Sequence, residues 1–155
     1  MLAPPTFARN RADEAAVLAH LEAADASFVP ALSSRVDLPR YAAKLLSRAE
    51  RFEAWDGSVL IGLVAAYCNM PPSAFITSVS VLPAWQGRGV ARELMRQCLL
   101  LVRHAGLATA VLEVSPRATA AISLYRALGF RMAMQDDSKL ELRLDVQPEE
   151  TTSTP

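Results

Sequence analysis

Apolar residues recur along this chain with two periods, and the switches between those periods predict the order of its elements. From Ala12 to Ala24, helix-forming residues place Val17, Leu18 and Leu21 on one side. An irregular connection from Ala26 to Val36 follows, and Asp37 caps a second helical stretch holding Tyr41, Leu45 and Leu46. Arg51 to Trp55 and Val59 to Asn69 flank Asp56 and Gly57, a dipeptide whose second residue tolerates positive φ, so two antiparallel strands joined by a tight turn are expected.

Met70, Pro71 and Pro72 break that ladder. A third strand is predicted from Phe75 to Leu82, with Ile76, Val79 and Val81 set among Thr77, Ser78 and Ser80 and with Pro83 at its end. Val90, Leu94, Cys98, Leu101, Val102 and Ala105 then fall at offsets 0, 4, 8, 11, 12 and 15, one face of a helix from Gly89 to Ala105 that Gly106 stops. Thr109 to Val114 reads as strand, Ala118 to Leu128 as a helix stopped by Gly129, and Lys139 to Val146 as a last strand with Leu140, Leu142, Leu144 and Val146 on one face. Strands alternating with helices imply a mixed α/β sheet, here in one domain over residues 1–146. Residues 147–155 turn to Gln, Pro, Glu, Thr and Ser, a composition expected to form a loose tail.

Composition narrows the class of ligand. Of 155 residues, 52% are hydrophobic and 21% charged, as in a well-buried globular chain. The 16 basic and 16 acidic side chains cancel, so no bulk positive field recruits nucleic acid or an anionic membrane, and an anionic ligand must be caught locally. The longest dense apolar run, Val59 to Cys68, is far short of the roughly 20 residues of a bilayer span, and no basic cluster with an apolar stretch opens the chain; a soluble cytoplasmic protein is expected. Cys68 and Cys98 lack a second Cys or a His at ligand spacing, so reduced, buried thiols and no metal are expected. His20 and His104 sit on helical stretches and read as structural residues, and Trp85 and Met95 as packing.

One local feature can catch an anion. A strand ending at Leu82 feeds Gln86, Gly87, Arg88, Gly89, Val90, Ala91 and Arg92, and a helix begins inside that run. Helix starts leave backbone N–H groups unpaired with about half a positive charge, and glycine lets a phosphate approach them. Arg88 and Arg92 add guanidinium donors. The run lacks the Gly-Lys-Ser/Thr end of a P-loop, as well as the third glycine and downstream acid of a dinucleotide fingerprint.

Gln86, Gly89 and Ala91 also match the cofactor motif of the GNAT superfamily: Gln or Arg, two residues, Gly, one residue, then Gly or Ala. The chain resembles that superfamily further through Val79, Ser80, Val81 and Pro83, through Leu112, Glu113 and Val114, and through Ala121, Leu124, Tyr125, Gly129 and Phe130. The resemblance covers about Phe75 to Met132 and is weak before Arg51. It implies a mixed, mostly antiparallel sheet, flanked by helices, whose two central strands splay apart at an acetyl-CoA site. The pantetheine arm would bond the free edge at Val79, Ser80 and Val81, with the amide of Val81 near the thioester carbonyl. In one departure from the pattern, Ala118 stands where an Asn commonly bonds the cofactor arm, leaving that contact to backbone, Ser115 or water.

Attack of an amine on a thioester needs a proton acceptor, because amines are mostly protonated at neutral pH, and the leaving thiolate benefits from a donor. The spacing of Glu113 and Tyr125 matches GNAT enzymes that use such a pair as base and acid, and the desolvation expected in an apolar strand would suit Glu113 to that role. The acceptor is expected where the N-terminal part meets the sheet, with Phe28, Ser33 and Arg35 as candidate lid residues. N-acetyl transfer through a ternary complex is the implied activity. A small-molecule amine such as an amino sugar or amino acid is slightly preferred as acceptor over a protein N-terminus, since no acidic or basic groove is obvious. A homodimer is compatible with this reading. An acyl-CoA-binding domain without turnover would need the Gln86 to Arg92 turn but neither Glu113 nor Tyr125.

Overall fold

Asp56 and Gly57 make the predicted turn, with Gly57 at φ 56°, and the hairpin they close lies inside a seven-stranded sheet. The computed structural model describes residues 3–147. In chain order its elements are β1 (Thr6–Arg9), α1 (Glu14–Ala24), α2 (Leu38–Arg48), β2 (Glu50–Asp56), β3 (Val59–Tyr67), β4 (Ser73–Val81), α3 (Val90–His104), β5 (Thr109–Val114), α4 (Thr119–Ala127), β6 (Arg131–Gln135) and β7 (Leu140–Asp145). The strand order is β1-β2-β3-β4-β5-β7-β6, with all neighbours antiparallel except β4 and β5. Asp37 caps α2 by accepting from the amide of Arg40, as expected, and Asp13 caps α1 through Ala16.

Burial explains which strands the pattern revealed. One core layer, including Phe52, Val64, Ile76, Leu94, Cys98, Leu112 and Leu142, lies on the α3 face; the other, including Val17, Leu21, Leu45, Trp55 and Leu63, lies on the α1–α2 face. β3 is therefore covered on both sides and reads as a continuous apolar run. β1 and β6 were not anticipated. They are the two edges of the sheet, and every residue of β6 is exposed, so no burial periodicity marks it. The expected tail lies outside the described residues except for Gln147, whose side-chain amide donates to the carbonyls of Arg103 (3.0 Å) and Leu107 (2.8 Å).

A buried ion pair anchors the N-terminal helices. Glu53, fully buried, accepts from the amides of Arg11 (2.9 Å) and Ala12 (3.1 Å) and from the indole of Trp55 (3.2 Å). Arg51 lies 3.4 Å from Glu53 and donates to the carbonyls of Leu45, Leu46 and Ala12. The pair thus ties both the start of α1 and the end of α2 to β2.

Two irregularities shape the centre of the sheet. The first is a bulge in β4, where pairing steps from Ala65↔Ser78 to Ala66↔Ile76 and leaves Thr77 as the extra residue. Ile76, Val79 and Val81, spaced by three and then two, consequently share the α3-side core. The second is a parting of strands: β4 pairs with β5 only from Ser73↔Thr109 to Ile76↔Leu112, although β4 runs on to Val81 and β5 to Val114.

The start of α3 packs closely on β3. A Cβ on Gly62 would lie 2.9 Å from Cγ1 of Val90 and 3.2 Å from both Cβ of Ala54 and Cδ1 of Leu94. Gly62→Ala is expected to lower the unfolding free energy by roughly 1–3 kcal/mol, because β-branched Val90 has little room to yield. Chemical denaturation checks this, and unchanged stability would show that α3 shifts freely.

Candidate active site

The edge of β4 that faces the gap follows from its hydrogen bonds. Leu82 donates its amide to the carbonyl of Ile61 (2.9 Å). By antiparallel alternation Ser80 and Ser78 also address β3, while the backbone groups of Val79 and Val81 point into the space that β5 has left. The side-chain amide of Gln86 donates to the carbonyl of Val81 (3.0 Å) and to Ser27 (3.4 Å). Gln86 thus straps the turn to the strand and occupies the Val81 carbonyl, leaving the Val81 amide toward the gap.

After a 3-10 turn at Pro83–Trp85 the chain reverses through Gly87 and Gly89, at φ 76° and 79°. A Cβ on either would meet nothing within 4 Å, so backbone conformation and not crowding selects glycine there. α3 then begins at Val90 with no side-chain cap, which leaves its first amides without intrahelical partners. Arg88 is exposed and lies 5.7 Å over the ring of Trp85; Arg92 is exposed as well. Glu93, the acid of the first turn, is held by its own helix: Arg96 (2.7 Å) and Gln97 (3.0 Å) donate to it and bring its carboxyl pKa down to about 2.

The gap between β4 and β5 opens into a cleft of about 340 Å³. Tyr125 and Ala118 from the α4 region, Glu113 from β5, Val79 from β4, and Phe28 and Arg35 from the connection between α1 and α2 all line it. Tyr125 is buried, packs edge-to-face on Phe130 at 6.0 Å, and has its phenol pushed well above the ordinary range by desolvation. At the bulge, the hydroxyl of Tyr41 reaches the carbonyl of Thr77 (2.9 Å) and its Oγ1 (2.7 Å), and burial pushes that phenol up to about 12.

Several expectations need correction. Glu113 is not in an apolar setting: its side chain is 39% exposed and lies 3.1 Å from Nζ of Lys139. It stands near the end of β5, beyond the last residue paired with β4. Ser80 turns its hydroxyl to the opposite face, where it donates to Nε2 of buried His20 (2.7 Å). Nδ1–H of His20 donates to the carbonyl of Leu60 (2.8 Å), and desolvation lowers the imidazole pKa, so His20 braces the back of β4 in its neutral form. Ser33 does not line the cleft; its amide (2.7 Å) and hydroxyl (2.6 Å) bond Asp25. Beside Ala118, the hydroxyl of Ser115 is used by the amide of Arg117 (3.2 Å), and α4 starts without a side-chain cap, leaving backbone groups there as donors. Cys98 is buried but Cys68 only half-buried. Sequence reasoning missed Lys139, Tyr41 and the bracing role of His20, all of which act across contacts distant in sequence.

The sequence model of the acetyltransferase (GNAT) family matches residues 17–130. The chain belongs to the GNAT family. The curated N-alpha-acetyltransferase RimI of Mycobacterium tuberculosis is 35% identical over 81 residues, so the match spans about half the length of either chain. Among solved structures, the ribosomal-protein-S18-alanine N-acetyltransferase of Escherichia coli superposes with a TM-score of 0.77 at 19% identity over 96% of this chain and 97% of that one. The PaiA N-acetyltransferase of Thermoplasma acidophilum, solved with coenzyme A, gives 0.73 at 14% identity over 90% and 99%. These likenesses bear out the mixed, mostly antiparallel GNAT fold. Among the described residues no group of His, Cys, Asp and Glu could hold a metal ion, and no helix is long and apolar enough to cross a membrane.

Proposed function

We propose that this protein, an acetyltransferase by family, moves the acetyl group of acetyl-CoA to the α-amine of a polypeptide by direct attack in a ternary complex. The observation that carries the reading is the parting of β4 from β5, which gathers Val79 of the free β4 edge, Glu113 and Tyr125 around one cleft. Bound acetyl-CoA would supply the thioester. The backbone of the Gln86 to Arg92 turn, with Arg88 and Arg92, holds its pyrophosphate. The edge at Val79 and Val81 orients the pantetheine arm, and the Val81 amide stabilises charge growing on the thioester carbonyl.

Glu113 accepts the proton of the incoming amine, and Tyr125 donates a hydrogen bond or proton to the departing sulfur. Burial makes the phenol of Tyr125 reluctant to lose its proton, but a thiolate formed in the same apolar surroundings is desolvated too, so the transfer is less uphill than solution values imply. A polypeptide is favoured over a small amine because the curated relative is named as an N-alpha-acetyltransferase. Glu113 is also partly exposed within the cleft, whose lining includes both Phe28 and Lys139.

Incubation with acetyl-CoA and an alanine-initiated hexapeptide is expected to release free CoA thiol and add one acetyl group to the peptide. The same peptide with a blocked N-terminus should give neither. Turnover of free amino acids or amino sugars without turnover of the peptide would replace the polypeptide reading with a small-molecule one.

A further inference from the structure

We propose that Lys139 is an internal stand-in for the acceptor: in the acceptor-free enzyme its ammonium sits on Glu113, where the amine to be acetylated must bind, and every substrate enters by displacing it. This rests on the reading of Glu113 as the group that meets the acceptor amine. Nζ of Lys139 lies 3.1 Å from Oε2 of Glu113, and both residues line the cleft. A lysine ammonium and the protonated α-amine of a peptide are the same chemical group, so the two compete for one carboxylate.

The turn holding Lys139 is built to present it. Oδ1 of Asp136 accepts from the amide (2.8 Å) and hydroxyl (2.8 Å) of Ser138 and from the amide of Lys139 (3.0 Å), which fixes the backbone while the lysine side chain remains half-exposed. Displacement costs little, because an exposed ion pair is weakly held. Glu113 above all, and then Asp136 and Glu141, favour the charged form of Lys139. Glu141 stands directly across from Glu113 on β7 and is shared with Arg143 at 3.5 Å. The incoming amine thus replaces Lys139 on Glu113, and the displaced ammonium turns to solvent, to which its side chain is already half-exposed. The device gates by charge, since a neutral ligand cannot take over the carboxylate.

The sequence makes the test clean, since Lys44 and Lys139 are its only lysines. In the wild type with isotope-labelled lysine, adding the alanine-initiated hexapeptide is expected to shift the side-chain NMR signal of Lys139. The signal of Lys44, which lies over the ring of Tyr67 at 5.1 Å, should stay in place, and the N-acetylated peptide should move neither. In Lys139→Gln the KM for the peptide is expected to fall about two- to fivefold, the range spanned by an exposed ion pair, with kcat and acetyl-CoA affinity unchanged. Lys139→Arg, which keeps the charge, should stay near the wild type. A KM for Lys139→Gln that is unchanged or raised, or a Lys139 signal indifferent to the free peptide, overturns the proposal. Absence of wild-type turnover strikes the acetyl-transfer reading instead, and the NMR signal still decides the role of Lys139.

Discussion

In Gly89→Asp, acetyl-CoA is expected to give no thermal stabilisation. Gly89 holds φ 79° immediately before α3, so a side chain there strains the backbone, although its Cβ would meet nothing within 4 Å. What sets this variant apart from a strained turn elsewhere is where it puts charge. The new carboxylate can cap the open amides of α3 and take the positions that phosphate oxygens would use, while repelling the phosphates themselves. In the wild type, ligand at 100 times its Kd adds about 2.7 kcal/mol of apparent stability, a shift of several degrees for a chain of this size. Gly57→Asp is the control: it has the same left-handed backbone, φ 56°, and the same open surroundings, but lies in the hairpin turn between β2 and β3. It should show a comparable loss without ligand and a full response to acetyl-CoA. A full response in Gly89→Asp would take the phosphates away from this turn.

Tyr125→Phe is expected to lower kcat roughly 10- to 100-fold with little change in acetyl-CoA affinity. The substitution removes only the hydroxyl, so the edge-to-face contact with Phe130 and the packing of α4 remain and the fold is preserved. Because burial pushes the phenol above its ordinary pKa of 10.0, the wild-type rate should show no fall from loss of this proton up to about pH 10. The donor form is the protonated one, so its contribution is present at all lower pH. Steady-state kinetics with the peptide and calorimetric titration of acetyl-CoA separate the two quantities. An unaltered kcat removes Tyr125 from the chemistry, and weaker acetyl-CoA binding at constant kcat makes it a binding residue.

Much of the scaffold for these experiments was legible in the order of residues. Strands β2, β3, β4, β5 and β7 and all four helices were anticipated because each buries at least one face, and burial leaves a period in the sequence. Ile76, Val79 and Val81 read as part of an alternating strand, whereas the bulge at Thr77 is what lets residues three apart share a face. The Gln86 to Arg92 turn was readable for a local reason: glycine conformation and an uncapped helix start need no distant partner.

Tertiary structure alone decided the surroundings of each side chain near the cleft. The apolar neighbours of Glu113 in sequence suggested burial, but its exposure depends on where β4 leaves β5, and those strands meet through residues 36 positions apart, as at Ile76 and Leu112. Ser80 belongs to the motif by position, yet a contact with His20 across 60 residues turns its hydroxyl from the cleft, and Ser33 is held by Asp25 outside it. Lys139 carries no signal in the sequence, because its role comes from a hairpin turn that reaches back over the end of β5. The chain by itself thus determined the elements, the phosphate turn and the identities of the acid and base candidates, all products of local conformation and one-sided burial. Which groups face the cleft, which brace it from behind and which pair with Glu113 were set by strand parting and long-range contacts, where a side chain's partners are chosen by the folded sheet and not by its neighbours in sequence.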